Sequence, residues 1–205
     1  MTAVDALVGR GRVTAIVLAG GRSSRFGADK LAAELAGRPL LHHALGAVAE
    51  VAESIILVTA PASDPWLPAE LAARIRVVHD PEAFGGPLVG LTAALAAVET
   101  STAIVVGGDM PRMVPAVLRR LVEAVGTGHR ASILEVPGRV QPLPMALHVE
   151  AAREAIGGIL GRGGRSLRDL LAVLDATAVP APVWLALDPA AATILDIDRP
   201  ADLRS

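Results

Sequence analysis

The chain has 205 residues, of which 52% are apolar and 2% aromatic, and its formal net charge at pH 7 is −2. The absence of Cys excludes disulfides and thiolate-bound metals, and the near-neutral charge argues against a general nucleic-acid surface. This length and apolar content suit one domain over residues 1–205, whose core must consist of Ala, Val, Leu and Ile. We expect residues 1–12 to be an N-terminal extension and the ligand to be a small molecule.

Short β-rich runs alternate with alanine- and leucine-rich helical segments, which is typical of a mostly parallel sheet covered on both faces. The pattern predicts an α/β protein with a Rossmann-like three-layer α/β/α fold. The predicted strands lie near residues 13–18, 54–59, 75–79, 102–106, 130–136, 142–148, 178–186 and 194–197. Helices are predicted between them, with three prolines in first helical turns and two glycines at one helix end: Pro39, Pro87, Pro115, Gly126 and Gly128.

The chain shows no sign of membrane targeting. No apolar run approaches the length of about 18 residues that spans a bilayer, and residues 1–12 lack the apolar core of a signal peptide. We therefore expect a cytoplasmic protein without membrane contact, either a monomer or a small homo-oligomer.

The first predicted strand ends in a segment rich in glycine and cations, which reads VTAIVLAGGRSSRFGADK over residues 13–30. Gly20 and Gly21 let backbone N–H groups approach an anion, and Arg25 and Lys30 add positive charge nearby. The letters match neither a P-loop nor the G-x-G-x-x-G dinucleotide fingerprint. The segment nevertheless predicts a phosphate-binding turn at the carboxyl end of a strand, with a solvated surface loop as the alternative.

A candidate metal ligand follows the fourth predicted strand, where Gly107 and Gly108 precede Asp109. Ligands of open α/β sheets bind beyond the carboxyl ends of the strands, which is where Asp109 falls. Its carboxylate suits Mg²⁺, which takes one or two protein carboxylates together with substrate phosphates. The alternative is that Asp109 caps the helix predicted to begin near Val114.

The segment Asp196-Ile197-Asp198 offers a second carboxylate. Alternation along a strand would place both acids on one face and turn Ile197 toward the core, so either acid could reach a metal. The alternative is a cap for a short terminal helix that starts at Pro200.

The first loop resembles the signature L-A-G-G-x-S-x-R-(M/F)-G-x-x-K of the nucleotidyltransferase superfamily, and in particular the molybdenum cofactor guanylyltransferases, or MobA-like enzymes. The resemblance extends in order along nearly the whole chain. Its further segments are 86–90 (GPLVG), 107–111 (GGDMP), 141–148 and 196–200 (DIDRP). It implies a single nucleotidyltransferase domain of the GT-A-like type.

The resemblance assigns roles to particular residues. The catalytic residues would be Lys30, Arg25 and Asp109, and the metal ligands Asp109 and Asp198. Residues implied in nucleotide binding are Leu18, Ala19, Gly20, Gly21, Lys30, Thr59, Asp80, Gly86, Pro87, Leu88 and Asp109. Residues implied in acceptor binding are Gln141, Pro142 and Arg165, with Arg162 as an alternative cation.

Three of these residues and one segment depart from the family or allow a second interpretation. Thr59 stands where the guanylyltransferases tend to carry Asn, and Asp198 where they often carry Asn. Asp80 could instead be a turn residue before Pro81, and residues 86–90 a simple helix start.

The implied reaction is a Mg²⁺-dependent transfer of GMP from GTP to molybdenum-bearing molybdopterin, which releases pyrophosphate. Implied partner proteins are a molybdoenzyme or another protein of cofactor synthesis. Gly20-Gly21 in the first loop favours guanine over cytosine, because the cytidylyltransferases of the same cofactor resemble L-A-A-G there. A sugar-phosphate or phospholactate acceptor is a further hypothesis. A noncatalytic nucleotide-binding chaperone is another, although such a protein would have no need of both Asp109 and Lys30.

Overall fold

The computed structural model describes residues 12–20, 30–81 and 85–204. Nine strands lie in these residues: β1 (Val13–Leu18), β2 (Glu34–Leu35), β3 (Arg38–Pro39), β4 (Ser54–Thr59), β5 (Ile75–His79), β6 (Thr102–Gly107), β7 (Ala131–Leu134), β8 (Met145–His148) and β9 (Thr177–Val179). The same residues form six α-helices: α1 (Leu40–Ala49), α2 (Pro87–Ala96), α3 (Pro115–Gly126), α4 (Val149–Gly161), α5 (Leu167–Val173) and α6 (Ala181–Leu185).

The main sheet has the strand order β5-β4-β1-β6-β8-β7-β9. Strands β5, β4, β1 and β6 are parallel neighbours, whereas β8 runs antiparallel to both β6 and β7. Strands β2 and β3 form a separate antiparallel pair. The predicted α/β fold with a mostly parallel sheet is confirmed.

Two apolar layers sandwich the main sheet. On one face, Val17 and Val106 pack with residues of α1 and α3 such as Leu45 and Leu118. On the other face, apolar side chains of the same strands pack with α2, α4 and α5. Because both faces are covered, the central strands read as continuous apolar runs, and this is why their predicted positions agree closely with the structure.

Helix termini follow the expected chemistry. Pro87 and Pro115 begin α2 and α3, where the missing N–H of proline costs no helical hydrogen bond, while Pro39 directly precedes α1. Helix α3 ends at Gly126, and Gly128 follows with a φ of +104°.

Two predicted strands near the C-terminus are wrong. The range 178–186 contains only the end of β9, because the chain turns at Pro180 into helix α6, whose Trp184 is buried in the core. The range 194–197 is not a strand either, since residues Ala192–Ile194 form a 3-10 turn. Strand β6 already has β1 and β8 as neighbours, so the sheet offers this segment no open edge beside Asp109.

Candidate active site

Lys30 joins the two acidic segments that are predicted to hold a metal. Its ammonium Nζ lies 2.9 Å from Oδ2 of Asp109 and 2.9 Å from Oδ1 of Asp198. Lys30 is the only lysine in the sequence, and its side chain is 12% exposed. Lys30 and Asp198 are 168 positions apart, so the fold rather than local sequence creates this contact.

Asp109 lies just beyond the carboxyl end of β6, and its carboxylate folds back over Gly107. A Cβ placed on Gly107 would lie 2.5 Å from Oδ1 of Asp109, closer than real Cβ contacts come. Gly107 therefore allows the position that the carboxylate adopts. The capping alternative for Asp109 is wrong, because Val114 precedes α3 and no side chain caps it.

Residues 188–198, which we call the acidic arm, bring Asp196 and Asp198 to the same place. The backbone N–H of Ile197 donates to the carbonyl oxygen of Asp109 at 3.0 Å, and the Ile197 side chain is buried. The expectation that Ile197 faces the core is correct, although no strand produces it. The N–H groups of Asp198 and Arg199 both donate to Oδ2 of Asp202, so the side chain of Asp202 caps the terminal turn.

Three carboxylates converge at this point. One oxygen from each of Asp109, Asp196 and Asp198 lies within 4.8 Å of the others. Hard oxygen donors at such spacing suit Mg²⁺ or a similar divalent cation, so the donor set fits the metal that the sequence predicts.

Burial and neighbouring charges shift the pKa values of Lys30 and Asp196. Burial alone would lower the pKa of Lys30, but its hydrogen bonds to Asp109 and Asp198, reinforced by their charges, raise it. Desolvation raises the pKa of Asp196, and the negative charges of Asp198 and Asp109 raise it further. Lys30 therefore stays a cation near neutral pH, and the cluster holds more negative charge than one lysine can balance.

The carboxyl end of β1 lies between the ends of β4 and β6. The N–H of Ala19 donates to the carbonyl oxygen of Val58 at 2.7 Å, and the N–H of Gly108 donates to that of Leu18 at 2.9 Å. Gly20 lies next to Ala60 and is exposed. The glycine-rich turn thus starts at the sheet edge that carries Asp109.

Comparison with known proteins identifies the family. The MobA-like NTP transferase domain matches residues 15–178. A probable molybdenum cofactor guanylyltransferase of Chloroflexus aggregans (strain MD-66 / DSM 9485) is 32% identical over 198 residues, which are 94% of this chain and 92% of the relative. The molybdenum cofactor guanylyltransferase of Xanthomonas euvesicatoria pv. vesicatoria (strain 85-10) is 36% identical over 78% of this chain and 77% of its own length.

The chain belongs to the MobA-like NTP transferase family. It is therefore a nucleotidyltransferase. Among solved structures, molybdopterin-guanine dinucleotide biosynthesis protein A from Archaeoglobus fulgidus has a TM-score of 0.74 and 24% identity, covering 93% of this chain and 95% of that one. This likeness supports the fold. None of the helices in the described residues of this MobA-like chain is long and apolar enough to cross a membrane.

Two predicted nucleotide-binding residues of the MobA-like chain lie at the ends of β4 and β5. Thr59 is buried, and its Oγ1 lies 3.0 Å from Nδ1 of His79. The N–H of Asp80 donates to the carbonyl oxygen of Thr59 at 2.8 Å. The Asp80 carboxylate faces α2, because a Cβ placed on Gly90 would lie 3.4 Å from its Oδ2. The Thr59 hydroxyl is thus paired with His79, and the Asp80 carboxylate borders the helix that begins at Pro87.

The predicted nucleotide segment 86–88 lies against the predicted acceptor residue Arg165. Gly86 has a φ of +97°, and a Cβ there would lie 3.2 Å from the carbonyl oxygen of Arg165. The guanidinium Nη1 of Arg165 donates to the carbonyl oxygen of Gly85 at 3.3 Å. Glycine is required at position 86 both for this backbone conformation and for this close approach.

Gln141 and Pro142, both predicted to bind the acceptor, lie just before β8 in the chain. Met145, the first residue of β8, pairs with Val105 in antiparallel register. The residues before Met145 therefore extend past the carboxyl end of β6, toward the edge that carries Asp109. Nε2 of Gln141 donates to the carbonyl oxygen of Leu143 at 3.1 Å, which holds the segment in a turn.

The predicted site residues Gly21 and Arg25 lie outside the described residues.

Two residues that support the site, Asp202 and Thr193, are not predicted from the sequence. Asp202 gives a usable local signal, since an acid three residues after Arg199 has the spacing of a capping box. The hydroxyl of Thr193 accepts from the N–H of Val114, a contact that no local pattern predicts.

Proposed function

We propose that this chain transfers GMP from GTP to a molybdopterin-type acceptor that carries molybdenum. The observation that carries the proposal is the contact of Lys30 with Asp109 and Asp198, each at 2.9 Å. It places a cation beside a set of carboxylates at the sheet edge where ligands of α/β proteins bind. The names of the relatives, molybdenum cofactor guanylyltransferases, supply the proposed donor and acceptor.

The reaction is a displacement at phosphorus. An oxygen of the acceptor's terminal phosphate forms a bond to the α-phosphorus of GTP, and the bond from that phosphorus to the oxygen bridging to the β-phosphate breaks. Pyrophosphate leaves with the electron pair of that bond. Because a phosphate monoester is already anionic at neutral pH, the protein needs no general base, and catalysis consists of alignment and charge stabilisation.

Asp109 and Asp198, with Asp196 beside them, would hold Mg²⁺. When bound, the metal supplies positive charge that offsets the negative charge of the triphosphate. A neutral or soft ligand set would not suit this ion, whereas three carboxylates do.

Lys30 supplies a fixed positive charge. Its ammonium is largely buried and oriented by two carboxylates, so it needs little reorganisation to stabilise the charge that develops on the phosphates. In the proposal Arg25 assists it, and the N–H groups of the turn at Leu18, Ala19, Gly20 and Gly21 contact the phosphates. The raised pKa of Lys30 keeps this charge in place over the neutral range.

In the proposal, the base and the acceptor bind to two adjoining sets of residues beside this centre. Thr59, Asp80 and the segment 86–88 border the nucleotide, while Gln141, Pro142 and Arg165 border the acceptor. The contact between Arg165 and the segment 85–86 supports this arrangement, because it joins the two sets of residues. The product would pass to a molybdoenzyme or to another protein of cofactor synthesis.

A direct test incubates the purified full chain with Mg²⁺, molybdenum-bearing molybdopterin and either GTP, CTP or ATP. We expect pyrophosphate release and a guanine dinucleotide product, measured by chromatography with mass detection, with GTP used fastest. Faster use of CTP would reassign the base. If no nucleotide turns over with any acceptor but GTP still binds, the noncatalytic interpretation replaces the enzymatic one.

A further inference from the structure

The acidic arm is attached to the loop that carries Asp109 at two points. The N–H of Val114 donates to Oγ1 of Thr193 at 3.0 Å, and the N–H of Ile197 donates to the carbonyl oxygen of Asp109 at 3.0 Å. These bonds lie on either side of Asp196 and fix the arm to both ends of the segment 109–114. The first bond joins residues that are 79 positions apart, and the second also joins segments that are remote in sequence.

Thr193 is itself rigidly held. It is fully buried, and its backbone N–H donates to Oδ2 of Asp188 at 2.7 Å. Asp188 is also buried, and the N–H of Ala191 donates to its carbonyl oxygen at 2.9 Å. The 3-10 turn at Ala192–Ile194 is thus fixed internally by Asp188 and attached to α3 by the hydroxyl of Thr193.

From this arrangement we infer that Thr193 is a positioning residue of the metal centre, which acts by holding the acidic arm in register with Asp109. Its hydrogen bonds go to Val114 and Asp188 and to none of the three carboxylates, so its effect passes through the backbone from Thr193 to Asp196. The inference rests on the proposed function, because it assumes that these carboxylates bind a divalent cation. Groups that orient metal ligands in this indirect way typically affect affinity by about 10- to 100-fold.

The test compares Thr193→Val with a matched control. Thr193→Val keeps the shape of the side chain but removes the acceptor for the Val114 N–H. The control is Ser132→Ala, because Ser132 is equally buried and its Oγ donates to the carbonyl oxygen of Leu121 in helix α3, the helix that Val114 directly precedes. Ser132 belongs to β7 and has no link to the acidic arm.

The test measures binding of Mn²⁺ to the full chain in the presence of the α,β-methylene analogue of GTP. The concentration of free Mn²⁺ is determined from its electron paramagnetic resonance signal. We expect Thr193→Val to weaken Mn²⁺ binding about tenfold relative to Ser132→Ala, and Thr193→Ser to restore it. In turnover assays the metal concentration for half-maximal rate rises for Thr193→Val, while kcat at saturating metal falls no further than in Ser132→Ala.

The outcomes separate this inference from the proposed function. If the wild-type chain binds Mn²⁺ and turns GTP over, but Thr193→Val binds Mn²⁺ as Ser132→Ala does, the role of Thr193 is refuted and the function stands. If the wild-type chain binds no Mn²⁺, the metal centre and the role of Thr193 are both refuted. Should Thr193→Val not fold, Thr193→Ala removes the same acceptor without a branched side chain and is judged by the same measurement.

Discussion

The parallel half of the sheet (β5, β4, β1 and β6) and the acidic arm each contribute one side of the candidate active site, but by different means. In the parallel half, Asp109 is delivered by a buried strand whose position follows from its apolar run. In the arm, a short turn and single hydrogen bonds to residues remote in sequence position Asp196 and Asp198. The first arrangement depends on the core, whereas the second depends on a few contacts.

This difference predicts that substitutions on the sheet side of the site have the larger effects. The carboxylate side chain of Asp109 is 32% exposed and that of Asp198 is 52% exposed. Electrostatic interactions weaken as water access grows, so equivalent changes should matter less in the arm.

Lys30 should show the largest effect. Replacing its ammonium by an apolar chain in Lys30→Met removes the cation between the two acids, and we expect kcat to fall by roughly 10²- to 10³-fold. A steady-state pyrophosphate release assay measures this, with Arg76→Met on the exposed side of β5 as the control.

A chemical test of the same residue is possible because the sequence contains a single lysine. Acetylation of Lys30, detected by mass spectrometry of the peptide that contains it, should abolish turnover. Bound GTP with Mg²⁺ should protect Lys30 from acetylation. Full activity in a chain acetylated at Lys30 would remove it from the mechanism.

Substitutions of the two carboxylates proposed to bind the metal, Asp109 and Asp198, should reduce turnover in the order that their exposure suggests, with the less exposed Asp109 mattering more. We expect Asp109→Ala to lower turnover at least about 100-fold and Asp198→Ala about tenfold, because Asp196 lies within reach to replace the latter. Measured rates as a function of Mg²⁺ concentration give the comparison. Equal losses for both variants would mean that the arm is as essential as the sheet side.

Gly107→Ala should have an intermediate effect. The added Cβ would meet Oδ1 of Asp109 at 2.5 Å, so the carboxylate must move, and we expect about a tenfold loss of turnover. The control is Gly46→Ala in helix α1, where a Cβ meets nothing within 4 Å. That change should leave turnover unaltered and stabilise the fold by about 0.5–1 kcal/mol, as alanine does inside helices. Unchanged turnover in Gly107→Ala would show that the position of this carboxylate is not critical.

Substitution of Asp196 should have the smallest effect, and we expect it as a change in the stability of the fold. Its raised pKa means that the folded chain binds this proton more tightly than the unfolded chain does, so stability falls as pH rises through the folded pKa. Asp196→Asn removes this loss and should raise Tm at neutral pH in buffer with EDTA, by an amount that shrinks toward acidic pH. Scanning calorimetry at several pH values measures it, with Asp64→Asn in an exposed loop as control. A shift in Tm that does not change with pH would contradict the assignment.

The sequence by itself determined the parts of this protein whose physics is local. The buried strands β1, β4 and β6 appear as apolar runs with clear ends, and Pro87 and Pro115 mark helix starts because proline lacks an N–H. The position of Asp109 at the carboxyl end of β6 follows from the same pattern, since parallel strands present their ends at one edge.

Only the tertiary structure decided how the C-terminal acids reach that edge. The strand expected at 194–197 does not form, because a strand needs a free neighbour and β6 has none. Asp196 and Asp198 reach Lys30 and Asp109 through the hydrogen bonds of Thr193 and Ile197, whose partners are far away in sequence. Periodicity and propensity report only on neighbours along the chain, so contacts between remote segments are settled by how the folded elements pack.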